Sequence, residues 1–204
     1  MLSRRRPAAR GMTLIEVLVG LTLLAIILAL GAPGFSTWLT NSRVRTTAES
    51  LLAGLQMAKA EAVARNARVR FQLVDSLGDS CVIDAAGASW VVNLDPANEP
   101  DAVEGACSAE PSDTVAPRIL HTRPGAESAA MTQVTASEAT LVFNGLGRVT
   151  PVPAGDITID VTAPAAGDCA TAGGEVACLR IVVSPAGQIR MCNPKFALPD
   201  PQGC

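Results

Sequence analysis

From Met12 to Pro33 the chain carries one ionisable side chain, Glu16, in an otherwise apolar run of membrane length. A bilayer core needs about 20 apolar residues to be crossed as a helix. A carboxylate inside such a segment costs a few kcal/mol unless something pairs with it. The run is preceded by Arg4, Arg5, Arg6 and Arg10 with no acid among them. Positive charge on that side holds the N-terminus in the cytoplasm and sends the remainder outward. The segment constrains the fold, because whatever follows must hang from one helix.

Charge and composition narrow the function. The chain has 204 residues and a net charge of −3. Without the four leader arginines, 12 Lys and Arg face 19 Asp and Glu. A body that acidic excludes bulk nucleic-acid binding, and contact would need a local basic patch. There is no Tyr and little Phe or Trp, so stacking platforms are scarce. All six cysteines, Cys81, Cys107, Cys169, Cys178, Cys192 and Cys204, lie beyond the apolar run, and none forms a C-x-x-C pair. An even count there points to disulfides in an oxidising compartment, with buried free thiols as the alternative. Proximity favours Cys81–Cys107, Cys169–Cys178 and Cys192–Cys204 among the fifteen connectivities.

After Pro33 and Gly34, where a kink or break is expected, helical periodicity resumes. Val44, Ala48, Leu51, Leu55, Ala58 and Ala62 recur at alternating steps of four and three, forming one apolar stripe. One helix from residue 12 to about 66 is predicted, with Asn66 as its stop. Short alternating runs follow. Residues 68–74, 89–94, 139–144, 156–161, 178–184 and 188–192 read as strands. Residues 95–117 are dense in Pro, Asp, Glu and Ala and read as a long loop. No catalytic constellation emerges: His121 sits in "LHTRPG", read as a surface turn, and Ser89 and Ser184 lack a nucleophile-elbow context. The acids Asp95, Glu99, Asp101 and Glu104 lack the spacing of a calcium loop. No cofactor or metal is expected.

An ordinary secretory signal fits the basic start, and "SRR" and "ALGA" hint at export and cleavage. A plain single-span anchor leaves Glu16 unexplained. A third reading explains it. "RGMTLIEVL" resembles the signal of type IV pilins and type II secretion pseudopilins, with Gly11 before the cut, Met12 as the new N-terminus and Glu16 at the fifth position counted from Met12. Met12 stands where phenylalanine is commoner. Pro33 falls at position 22 counted from Met12, where many pilins carry a helix-kinking proline. The resemblance extends through residues 32–71 and the C-terminal strands to the FimT/FimU/GspH class of minor pilins and pseudopilins, on Pro33, Phe35, Arg43, Ala48, Leu51, Leu55, Ala58, Glu61, Ala62 and Arg65.

That resemblance implies an α+β fold, a long kinked N-terminal helix packed on an antiparallel β-sandwich-like domain. It implies a leader over 1–11 removed by a prepilin peptidase, N-methylation of Met12, a transmembrane assembly helix over 12–34 and a periplasmic or extracellular domain over 35–204. It also implies a site in the inner membrane with the N-terminus cytoplasmic, and a non-enzymatic role beside other pilins or pseudopilins. The Glu16 carboxylate is then expected to pair with the N-terminal ammonium of a neighbouring subunit. Some FimT-type pilins take up DNA through a Gly-Arg-x-Arg segment. Here the stretch is Gly187-Gln188-Ile189-Arg190, with one arginine replaced. Arg190 and Lys195, then Arg148 and Arg180, are the candidate DNA contacts.

Overall fold

The computed structural model describes residues 12–96, 103–125 and 131–204, and the backbone but not the side chains of 30–33. Gly11 and any side-chain account of a kink at Pro33 therefore lie outside the described residues. Helix α1 runs Leu14–Arg65. Its stop is chemical: Asn66 takes a left-handed φ of 47°. The Asn66 N–H donates to the Val63 carbonyl and the Ala67 N–H to the Ala62 carbonyl. This is the bonding pattern of a Schellman cap, which satisfies carbonyls the helix end would otherwise leave open.

The chain divides into two compact units, the first ending at Trp38 and the second spanning Leu39–Cys204. In the first, every large apolar side chain from Met12 to Leu28 that is described is about half exposed or more. Among the described residues no single helix is long and apolar enough to cross a membrane, although Leu14–Ala29 and Gly34–Arg65 qualify as a pair. At 1.5 Å per residue the first piece alone reaches roughly 24 Å, short of a hydrocarbon core of about 30 Å.

The second unit holds two four-stranded antiparallel sheets. One is ordered β3-β2-β1-β5, from β1 (Val69–Val74), β2 (Ser89–Leu94), β3 (Ile119–Arg123) and β5 (Thr140–Phe143). The other is ordered β4-β6-β7-β8, from β4 (Gln133–Ala136), β6 (Ile157–Thr162), β7 (Leu179–Val183) and β8 (Ile189–Cys192). The apolar stripe of α1 is fully buried from Val44 to Ala62. It shares one core with Val69, Phe71 and Leu73 of the first sheet and Ile159, Val161, Ile181 and Val183 of the second. Alternation puts these side chains on the inner face of each strand.

Gly54 shows how closely helix and sheet approach. A Cβ there would lie 2.7 Å from both the Phe71 and Trp90 rings. Those rings pack 5.9 Å apart, and the Trp90 indole N–H donates to Ser50 Oγ one turn earlier on the helix. Gly54→Ala would gain about 1 kcal/mol of helix propensity. Overpacking of about 1–3 kcal/mol outweighs it, so a lower Tm of the variant is expected, and a raised Tm would refute the close fit.

The six predicted strands are present, and two more, β3 and β4, were not anticipated. His121, read as a surface turn residue, instead lies in β3 opposite Val92. The far face of the first sheet is covered as well. Arg70, Gln72 and Asn93 are buried there, with the Asn93 amide donating to the Pro117 carbonyl. Beside them Val74, Val91 and Ile119 pack on Val103, Cys81 and Cys107. The described part of the predicted loop is thus a cover for the sheet. Bridges join Cys81–Cys107, Cys169–Cys178 and Cys192–Cys204, and no described cysteine is free.

Candidate functional site

The N-terminal end of α1 begins with Thr13. Its hydroxyl accepts the Glu16 backbone N–H at 3.3 Å, three residues into the helix. Thr-x-x-Glu is the capping-box signature, and an acid in the first turn also meets the positive end of the helix dipole. Thr13 was overlooked in the sequence reading although that signature is legible in it. The cap explains local placement of the carboxylate. It supplies no counter-charge, and a dipole of 0.3–1 kcal/mol does not offset burial of a charge costing about 2.5 kcal/mol or more.

At the other end of the first unit, Phe35 and Trp38 stand exposed by 63% and 62%, their ring centroids 5.8 Å apart. They are three residues apart and so share a helix face.

The helix segment that carries Glu61 and Arg65 is held by an ionic cluster. Glu61 Oε2 accepts from Arg65 Nε at 2.7 Å, and Oε1 lies 3.0 Å from His121 Nε2 on β3. Arg65 also reaches Asp113 at 3.3 Å. The Arg65 hydrogen bond, then that of His121, holds the Glu61 carboxyl below its ordinary value. A depressed carboxyl contributes stability above its unfolded value of 4.5 and loses it as pH falls through the lower folded value. Glu61→Gln is expected to cost up to about 1 kcal/mol at pH 7, since the pair is partly solvated. The gap to the native protein should narrow below pH 4.5 and close as pH falls through the lower folded value; a gap in unfolding curves that does not change with pH across that range would reject the ionic account.

Two glycine turns meet beside this helix, one in the connection that follows β5 and one in the β7–β8 hairpin. Gly147 and Gly187 have φ of 72° and 80°, and a Cβ on Gly187 would lie 1.9 Å from the Gly147 carbonyl oxygen. Lys59 of α1 donates to the Gly187 carbonyl at 2.8 Å. No side chain but hydrogen fits between these turns. The "GRV" and "GQIR" segments therefore meet for packing reasons, which accounts for both glycines without a ligand.

The four candidate DNA contacts do not converge as free charges. Arg180 makes a two-pronged bond to Asp160, with Nε to Oδ1 at 2.7 Å and a second N–H to Oδ2 at 2.9 Å. That carboxylate pushes the Arg180 guanidinium pKa up and balances its charge. Arg190 lies on the same outer face of the second sheet, opposite Val182, and donates to the Gly203 carbonyl at 3.1 Å. Arg148 and Lys195 are exposed, the first in the turn after β5 and the second in the loop closed by Cys192–Cys204. No group of three or more His, Cys, Asp or Glu able to hold a metal occurs among the described residues.

Comparison with known proteins agrees with this architecture. Residues 47–187 match the family described as type II transport protein GspH, and residues 6–32 match the prokaryotic N-terminal methylation motif. No curated protein matches the chain. The fold is similar to that of the type IV minor pilin FimU of Pseudomonas aeruginosa, at a TM-score of 0.51 and 19% identity over 80% of this chain and 96% of that one. A second crystal form of FimU matches at 0.47 and 18%, over 78% and 98%. The family match spans most of the chain and reaches from the amphipathic half of α1 through the first sheet and three strands of the second to the Gly187 turn: the protein belongs to the GspH family of pilin-like proteins.

Proposed function

We propose that the protein is a minor pilin or pseudopilin, held in the inner membrane by its first helix and drawn from there into a type IV pilus or a type II secretion pseudopilus. The observation that carries this reading is the first unit itself. Its apolar side chains are exposed along the whole described length, and one carboxylate, Glu16, lies among them. An apolar surface of that kind is covered by lipid or by other helices. A prepilin peptidase cuts after Gly11 and methylates the Met12 amine, which creates the ammonium that Glu16 of a neighbour meets. The second unit then serves as a rigid headpiece outside the membrane, and no chemistry is assigned to it.

Intact mass of the membrane-bound protein tests the first step. It is expected to begin at N-methyl-Met12 and to lack six hydrogens for three closed bridges. A start at Ala32 or Pro33 would support ordinary signal cleavage, and free thiols would remove the three-bridge arrangement. Direct DNA reception has weaker support, because Arg180 is balanced by Asp160 and Arg190 is occupied by a carbonyl. The folded fragment from Ser36 onward is expected to give no gel shift at low salt, where phosphate contacts are strongest. A shift that fades with salt and is lost in Arg148→Ala/Lys195→Ala would reinstate the DNA receptor.

A further inference from the structure

We propose that Phe35 and Trp38 anchor the subunit at the phospholipid headgroup boundary of the outer leaflet, and that this anchor fixes the depth at which Glu16 rests before assembly. The inference rests on the membrane reading above and adds the position of the helix within the bilayer. Both rings are exposed and lie tilted against each other along one helix face just after the apolar run. Ser36 and Thr37 lie between them and Thr40 follows, so the sequence turns from apolar to hydroxyl-bearing within about one turn. An indole with an apolar body and one N–H donor is suited to that boundary, where tryptophan is enriched.

Length makes the argument quantitative. Glu16 and Trp38 are both on α1. At about 1.5 Å per residue the helix path between them is at most roughly 33 Å, close to a hydrocarbon core of about 30 Å. With Trp38 held at the outer boundary, Glu16 reaches the inner one, where water and headgroups still solvate its carboxylate. A lone subunit then avoids most of the burial penalty that the apolar run implies. The penalty arises only when the helix leaves the bilayer, which is the moment at which a neighbouring ammonium becomes available. A neighbouring subunit's helix could cover the same rings, but it would not require this match of spacing to bilayer thickness.

Tryptophan fluorescence tests the anchor, because the other tryptophan, Trp90, is 2% exposed under α1 and out of reach of lipid. The full chain is reconstituted in phosphatidylethanolamine–phosphatidylglycerol vesicles whose acyl chains are brominated either near the headgroup or near the bilayer centre. Stronger quenching by the shallow label, and loss of all quenching in Trp38→Ala, is the expected result. Failure of the protein to float with vesicles would overturn the membrane reading and the anchor with it. Flotation without quenching, or with stronger quenching by the deep label, would overturn the anchor alone. The unquenched case is the one a ring pair reserved for a neighbouring subunit would give.

Discussion

Glu16→Ala is expected to leave the protein in the membrane fraction and to remove it from sheared filaments or from crosslinks to other pilins. The magnitudes separate this effect from a simple loss of helix capping. Thr13 receives the backbone N–H of Glu16, which the substitution keeps, so the cap itself survives. What is lost locally is the charge on the helix dipole, worth about 0.3–1 kcal/mol. What is lost in the assembled state is one partner of a buried pair, leaving an ammonium uncompensated at about 3–5 kcal/mol. That corresponds to two or three orders of magnitude in the equilibrium for incorporation, at about 1.4 kcal/mol per factor of ten. Glu16→Gln, close in size but uncharged, should fail almost as badly. Thr13→Ala, which removes the cap alone at about 1 kcal/mol, should be incorporated at a modestly reduced level. Normal incorporation of Glu16→Ala would defeat the pairing argument.

The second large effect is expected in the headpiece. Cys81→Ser/Cys107→Ser should lower stability by about 3.5 kcal/mol, which is the chain-entropy estimate for opening a loop of this size. The bridge spans a sequence separation of 26, against 12 for Cys192–Cys204 and 9 for Cys169–Cys178. Melting curves of the three paired serine variants should therefore rank in that order of loss, with the first lower by about 10 °C. The first bridge has a further reason to lead. It pins the cover over Val91, Ile119 and the buried side chains of Arg70, Gln72 and Asn93. Water entering there would reach the back of the central strands. If the Cys169–Cys178 variant proved the least stable, the loop-length account would be wrong.

How much of this was legible in the sequence depended on how many side chains each element buries. The helix stripe and the strands β1, β2 and β5 to β7 were readable because alternate residues of each enter the core, and β8 was readable from the apolar Ile189 and Met191, which pack half-buried against it. β4 was not, since among its four residues Val134 alone is buried. β3 was hidden by its composition: Ile119 is buried on the far face, a register shift follows, and His121 and Arg123 read as turn chemistry. The burial of Arg70 and Gln72 was equally hidden. Strict alternation in "RVRFQLV" describes a strand wet on one side, and only a bridge between distant cysteines reveals the second layer. The stretch holding Gly11, Met12 and Glu16 was legible as a match to the N-terminal methylation motif, whereas the aromatic pair was visible as letters and acquired meaning from its exposure and spacing.

The placement of the bridges bears on how the molecule responds to being pulled. All three join residues of the sheets and loops, and none includes a residue of α1. A subunit pulled by its first helix would therefore carry tension across a helix–sheet contact that no disulfide crosses, with the backbone through Asn66 into β1 as the covalent connection. Resistance there comes from the buried stripe and from spaced contacts: Asn41 to the Ala177 N–H, Ser50 to Trp90, Lys59 to Gly187, Glu61 to His121 and Arg65 to Asp113. Under force the helix should shear from the sheets and pass the load through Asn66 to β1, while the segments closed by the three bridges stay fixed.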